Sequence, residues 1–212
     1  MSLSRALVRR SSRRSTSGRA LLLTAVSLAS ALTLTACTGG DGKPNGSSGG
    51  GYVTGSGGIA RVAQGERTEA PKLDGETVDG STLDVSTLKG KVVVLNVWGS
   101  WCAPCRAEAP HFAKVAKELT DAGKDVAFVG INTRDSSKQT AAAFESDFGI
   151  TYPSIYDPVG KLMLRFPKGT LNPNAIPATV VLDKEGKIAA RAQVAMDDVA
   201  LRGMIDPLLA EK

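Results

Sequence analysis

Residues 92–105 read Val-Val-Val-Leu-Asn-Val-Trp-Gly-Ser-Trp-Cys-Ala-Pro-Cys, an apolar run that leads into a pair of cysteines. Its first seven residues are almost all β-branched or apolar, which is typical of a central strand covered on both faces. From Ala103 to Leu119 the apolar residues recur at helical spacing, so we predict a helix that Pro110 should kink. Cys102 and Cys105 therefore lie where a buried strand turns into a helix.

The chain on both sides of this stretch alternates strands and helices. A predicted strand at 125–132 and a predicted helix at 139–148 favour parallel pairing and an α/β layer fold. The other predicted elements are a short hairpin at 73–88, a hairpin of strands 179–183 and 187–193, and a final helix capped by Asp197 or Asp198, with apolar residues Val199, Leu201, Met204, Ile205, Leu208 and Leu209.

The charge of the chain is concentrated at its N-terminus. The 212 residues include 26 Lys and Arg, 21 Asp and Glu, three Cys and one His, for a formal net charge of +5. Six arginines and no acidic residue precede Cys37, which leaves 20 basic and 21 acidic residues in the remainder. The body of the protein is therefore nearly neutral, and its composition excludes a basic nucleic-acid-binding domain.

Residues 1–36 have the pattern of a secretory signal. The arginines are followed by the uncharged, apolar run from Ala20 to Ala36, which is slightly short for a membrane span. Residues 34–37, Leu-Thr-Ala-Cys, resemble the lipobox of bacterial lipoproteins, which implies that Cys37 is acylated and becomes the new N-terminus. An uncleaved anchor helix with an incidental cysteine is the alternative interpretation.

Residues 37–65 are predicted to be a flexible tether. Eleven of the 28 positions from Thr38 to Gly65 are glycine, and few side chains are apolar. Such a segment cannot bury enough surface to offset its conformational entropy. Residues 66–212 then form one predicted domain, which is long enough for a hydrophobic core.

The cysteine pair is the strongest chemical signal in the sequence. At a helix N-terminus the unpaired backbone N–H groups and the helix dipole favour an anion, so we expect the thiol pKa of Cys102 to be lowered. Cys105, one turn along the helix, could attack a mixed disulfide formed on Cys102. Half of a zinc site and a purely structural disulfide are the alternatives. Zinc would need two more ligands, and only His111 and Cys37 remain.

Residues 96–110, Asn-Val-Trp-Gly-Ser-Trp-Cys-Ala-Pro-Cys-Arg-Ala-Glu-Ala-Pro, resemble the active-site segment of the TlpA/ResA group of membrane-anchored, extracytoplasmic thioredoxin-like proteins. The resemblance extends over about residues 70–212 and includes a second motif, Ile-Pro-Ala-Thr, at 176–179. It implies a thioredoxin-like fold: a central mixed sheet flanked by helices, with an added N-terminal hairpin and a central insertion.

The resemblance also implies roles for individual residues. Pro177 should be cis and lie against the cysteine pair, where the backbone of Ile176 can pair with an extended substrate. Asn96 stands where thioredoxin has a buried aspartate, in agreement with the TlpA/ResA pattern. Glu108 occupies the position of a glutamate that influences cysteine protonation; the alternative is an ordinary acid near a helix N-terminus. Trp101 should form a partly exposed wall of the site that contacts partners.

The function implied is a thiol:disulfide oxidoreductase, lipid-anchored on the outer face of the cytoplasmic membrane, that reduces protein disulfides such as those of apocytochrome c. A membrane thiol carrier of the CcdA type would restore its dithiol. We expect a monomer without cofactor, metal or nucleic-acid partner. The alternatives are a disulfide-forming oxidant, a thiol peroxidase on the same fold, and a non-catalytic copper-binding lipoprotein. The spacing of the cysteines cannot choose the direction of exchange.

Overall fold

The computed structural model describes residues 58–211 and the backbone of residues 52–54. The predicted signal peptide, the lipidation site Cys37 and most of the predicted tether lie outside these residues. Within the described ranges, none of the helices combines the length and the apolar character needed to cross a membrane.

Nine strands and three α-helices make up the described part of the chain. In chain order they are β1 (Tyr52–Thr54), β2 (Ile59–Val62), β3 (Asp74–Glu76), β4 (Thr82–Asp84), β5 (Val92–Trp98), α1 (Ala103–Asp121), β6 (Val126–Thr133), α2 (Lys138–Phe148), β7 (Ser154–Asp157), β8 (Ala178–Leu182), β9 (Ile188–Ala192) and α3 (Asp198–Ala210).

Seven strands form one mixed sheet in the order β1-β2-β9-β8-β5-β6-β7, and β3 pairs with β4 in a separate hairpin. β6 is parallel to both β5 and β7, whereas β8 is antiparallel to β5. The predicted α/β fold with a central mixed sheet and an added hairpin is confirmed.

β5 is the centre of the core because all seven of its residues are buried. Val92 and Val94 pack with the apolar faces of α1 and α3. Val93, Leu95 and Val97 point to the opposite face, where they meet side chains from segments 73–85 and 162–171. The alternating side chains of one strand thus join two hydrophobic clusters and fix the position of the β5–α1 turn.

Two sequence expectations need correction. β2 lies inside the predicted tether but pairs with β9, with Ile59 opposite Ala192, so the ordered domain begins before residue 66. This short strand was not predicted because glycine-rich sequence surrounds it, although Ile59, Ala60 and Val62 are buried. Val199 was expected on the apolar face of the last helix, yet it is 80% exposed, because it lies on the solvent side of the first turn of α3.

Candidate active site

The two cysteines form a disulfide at the start of α1. Cys102 is the N-cap residue, and its Sγ atom accepts a hydrogen bond of 3.2 Å from the backbone N–H of Cys105. The two Cα atoms are 5.2 Å apart across the bond. Pro104, in the first turn, fixes a helical φ angle where no backbone donor is needed. The helix start therefore holds both sulfur atoms within bonding distance.

The hydrophobic cluster below the disulfide closes it off from most of the solvent. Both cysteines are buried and pack with Trp98, Ala109 and Phe144. The Trp98 and Phe144 rings stack with their centroids 4.3 Å apart. Trp98 and Phe144 therefore belong to the core. Since the pair lies at the edge of the core, a partner must approach through the loops that surround it.

Glu108, one helical turn after Cys105, is a buried carboxyl group with only 2% of its surface exposed. Its Oε1 atom accepts a hydrogen bond of 2.7 Å from the side-chain amide of Asn96 on β5. Its Oε2 atom accepts a bond of 3.1 Å from the backbone N–H of Met196. Glu108 is therefore anchored within the interior, between the central strand and the loop before α3.

The surroundings of Glu108 change its acidity. Burial raises the pKa of the Glu108 carboxyl to about 7, and the hydrogen bonds from Asn96 and Met196 act in the opposite direction by favouring the ionised form. Within the described residues, Glu108 forms no salt bridge that would stabilise its charge. A carboxyl group with this pKa can both accept and release a proton near neutral pH.

Pro177 lies beside the cysteine cluster at the start of β8. The Ile176–Pro177 peptide bond is cis, as the resemblance implied. Ile176 is partly buried and packs against the cluster that contains both cysteines. The neighbouring Ala178 pairs with Val97 of β5, which places this loop at the same sheet edge as the disulfide. The structure thus brings Ile176 and Pro177 together with the two cysteines.

The predicted wall residue, Trp101, is 53% exposed and immediately precedes Cys102. His111 lies elsewhere: its ring Nδ1 pairs with a carboxylate oxygen of Asp198, between α1 and α3. This histidine therefore belongs to a surface contact between two helices.

Sequence reasoning missed Asp135, a buried acid that organises the loop before the cysteines. Its carboxylate accepts hydrogen bonds from the backbone N–H of Ser100, at 3.0 Å, and from the hydroxyl of Ser100. The side-chain amide of Asn132 donates a third bond. The position of Asp135, just beyond a predicted buried strand, was an available signal, because parallel strands end at the same edge of a sheet.

Cysteines that close a disulfide across one turn at a helix start can exchange that bond with another dithiol. This chemistry, on a mixed sheet with a cis proline at the adjacent strand, defines a thiol:disulfide oxidoreductase of thioredoxin-like fold. Residues 63–204 match the Redoxin family, and the chain belongs to that family.

Named relatives agree with this class. The chain is 29% identical over 123 residues to the thiol-disulfide oxidoreductase ResA of Bacillus subtilis, a match that covers 58% of this chain and 64% of ResA. The chain therefore matches slightly less than two thirds of the length of that relative.

Solved structures are similar over a larger share of the chain. A DsbF homologue from Corynebacterium diphtheriae is 38% identical, with a TM-score of 0.66 and coverage of 74% of this chain and 96% of that one. A secreted thiol-disulfide isomerase from Corynebacterium glutamicum is 33% identical, with a TM-score of 0.68 and coverage of 74% and 94%.

Proposed function

We propose that this oxidoreductase acts as a reductant of protein disulfides outside the cytoplasm. The observation that carries the exchange chemistry is the buried Glu108, held one turn from the cysteine pair with a pKa raised to about 7, and the reducing direction follows from the resemblance to the TlpA/ResA group. A group with this pKa suits the deprotonation of a resolving thiol at neutral pH.

The proposed reaction transfers two electrons. The Cys102 thiolate attacks one sulfur of a substrate disulfide, the substrate S–S bond breaks, and the released sulfur takes up a proton. Cys105 then gives its proton to Glu108 and attacks Sγ of Cys102. This second step breaks the mixed disulfide, releases the other substrate thiol and forms the Cys102–Cys105 bond seen in the structure.

Two further residues support substrate binding. The backbone of Ile176, beside the cis Pro177, pairs with an extended segment of the substrate. Trp101, exposed next to Cys102, supplies an aromatic contact.

The proposed location is the outer face of the cytoplasmic membrane. The basic and apolar residues 1–36, the lipobox-like residues 34–37 and the glycine-rich segment that follows support a lipid anchor at Cys37. A thiol carrier of the CcdA type would donate the two electrons that restore the dithiol, and apocytochrome c is the proposed substrate. Membrane fractionation of wild type and Cys37→Ala tests the anchor. We expect wild type in the membrane fraction and the variant to be released from it.

The reduction potential of the Cys102/Cys105 pair tests the direction. We expect a value below about −200 mV, on the thioredoxin side of the known range, measured by equilibration with glutathione or dithiothreitol. A value near −120 mV, as in strong oxidants, would overturn the reductant proposal and favour disulfide formation. The reduced protein should also reduce a Cys-x-x-Cys-His peptide disulfide.

A further inference from the structure

The loop before the cysteine pair presents a fixed aromatic ring to solvent. A Cβ atom placed on Gly99 would lie 2.7 Å from Nε1 and 2.9 Å from Cε2 of Trp101, so the indole rests directly on the Gly99 backbone. The ring is nevertheless 53% exposed. Trp101 is therefore held in place beside Cys102 without being buried, as a preformed contact surface requires.

Arg134 covers part of this ring. Its guanidinium carbon is 5.2 Å from the Trp101 ring centroid, which is within the range of cation–π contacts. Arg134 has a φ angle of 59°, and it is the one non-glycine residue with positive φ in the described chain. A left-handed conformation is unfavourable for an arginine, so other contacts must hold it.

Asp135 provides those contacts. Its buried carboxylate binds the backbone and hydroxyl of Ser100 and the amide of Asn132, and its carbonyl accepts a bond from Tyr156. The loop after β6 is thereby fastened to the loop before Cys102. This arrangement keeps the Arg134 guanidinium at the mouth of the disulfide site.

A second guanidinium contacts the same loop. Arg106 follows Cys105, stacks over Phe148 with 5.0 Å between its guanidinium carbon and the ring centroid, and approaches the carbonyl of Ser100 at 3.4 Å. Arg106 and Arg134 form no salt bridge with any described residue, whereas Arg67, Arg165 and Arg202 each do. Asp135, the adjacent acid, is buried and bound to Ser100 and Asn132. The mouth of the site thus carries two exposed cations that have no counter-ion among the described residues.

We propose that Trp101, Arg106 and Arg134 form a docking rim that selects protein substrates with an acidic side chain next to the reactive cysteine. An arginine presents a planar fork that binds a carboxylate in two places, and unpaired surface charge accelerates encounter with an oppositely charged partner. The inference rests on the proposed exchange activity and names its preferred substrate class.

The test uses three disulfide peptides that differ only in the residue after cysteine, which is Glu, Gln or Lys. Rates of reduction by the reduced protein are measured at low and at high salt for wild type, Arg106→Gln, Arg134→Gln and the double variant. Arg61→Gln is the matched control, because Arg61 is exposed on β2 and bonds the carbonyl of Gly203, away from the cysteines. Oxidised protein with the same peptides as dithiols covers the opposite direction.

We expect wild type to prefer the Glu peptide over the Lys peptide by about five- to tenfold at low salt, with the preference shrinking at high salt. Each single variant should lower the ratio, the double variant should bring it close to one, and the control should leave it unchanged. Equal ratios in wild type and the double variant would overturn the inference.

Two other results separate the alternatives. A parallel loss of rate with all three peptides would show that the arginines act on the Cys102 thiolate, and it would also overturn the docking rim. Failure of wild type to exchange with the Gln peptide in either direction would instead contradict the exchange activity on which the inference rests.

Discussion

Ionisable side chains have different partners at the two ends of the central sheet. At the end far from the cysteines, the Arg67 side chain is 5% exposed and pairs with Asp183 at 3.1 Å and with Glu211 at 2.6 Å. At the cysteine end, the buried Glu108 has an amide and a backbone N–H, and no basic group, as its partners within the described residues. The charge of Arg67 is paired with carboxylates at the far end of the sheet. The carboxyl of Glu108 has no opposite charge beside it among the described residues at the cysteine end, where protons and partners must be exchanged.

The arginines show the same contrast. The hydrogen bond from Arg67 to Glu211 is the largest contribution that raises the pKa of the Arg67 guanidinium, so the ionised pair is favoured at that end. Arg106 and Arg134 face solvent near the disulfide without a carboxylate among the described residues. Stability and function are thus built into opposite edges of one sheet, and each edge can be tested separately.

The largest effect should come from the cysteines themselves. Cys102→Ser should lower the rate of disulfide exchange by at least about a thousandfold, because a serine hydroxyl cannot replace the attacking thiolate. Stopped-flow measurements of peptide reduction check this rate. Cys105→Ser should still attack but should accumulate a mixed disulfide that mass spectrometry detects. If Cys105→Ser stayed active and Cys102→Ser trapped the substrate, the assigned order of attack would be wrong.

Breaking the opposite edge should affect stability alone. Arg67→Met leaves Asp183 buried without its cation, and we expect a loss of about 3–5 kcal/mol in the free energy of unfolding. Urea denaturation of the oxidised protein measures it. Arg202→Met, which removes a more exposed pair with Glu118, should cost less than about 1 kcal/mol. An altered exchange rate in folded Arg67→Met would contradict the separation of the two edges.

Glu108 should make stability depend on pH. Its folded-state pKa of about 7 lies above the ordinary value of 4.5, so the native state binds more protons than the unfolded state between these values. The stability of the native state is therefore highest below about pH 4.5 with respect to this group and falls as the pH rises through 7, by about 3 kcal/mol in all.

Glu108→Gln removes the titrating group and should remove this dependence. Glutamine can retain both hydrogen bonds if the Asn96 amide turns over, so the variant is expected to fold. Urea unfolding of oxidised wild type and variant at pH 5, 6, 7 and 8 gives the difference between the two curves. Parallel curves would show that burial does not raise the pKa of Glu108. The cysteines do not titrate in the oxidised protein, so they add no pH dependence of their own to the measured stability.

Much of the architecture could be predicted because it follows from short-range patterns. The run from Val92 to Trp98 is the observed β5, and the helix predicted from Ala103 extends only two residues beyond Leu119. The N-cap at Asp197 was one of two predicted candidates. These elements have a strong apolar period or a capping residue, so each can be predicted from its own local sequence.

The contacts that give the site its chemistry could not be predicted in the same way. The bond between Glu108 and Met196 joins residues 88 positions apart, and the loop of Asp135 reaches Ser100 across 35 positions. Such contacts depend on how loops meet after the sheet has formed. Trp101 was expected at the site from the resemblance, but the Arg134 that lies over its ring has no signature in the sequence.

The smallest expected effects compare one glycine at each edge. Gly123 follows the C-terminal end of α1, a full helix length from the cysteines, with a φ angle of 62°, and a Cβ atom there would meet nothing within 4 Å. Gly123→Ala should therefore cost only the backbone strain of about 1 kcal/mol, with an unchanged exchange rate. Gly99→Ala instead places a methyl group against the Trp101 indole. We expect it to displace the ring, to shift tryptophan fluorescence and to weaken the preference for the Glu peptide.

The pair of glycine variants distinguishes a local effect at the site from general destabilisation. Urea unfolding, fluorescence emission and peptide exchange are measured on both proteins at the same pH. Since Trp98 is buried and Trp101 exposed, a shift in emission at constant stability reports on Trp101. If Gly123→Ala changed the Glu-to-Lys peptide ratio as much as Gly99→Ala does, the fixed indole would have no special role in docking, and the contrast between the two edges would fail at its most specific point.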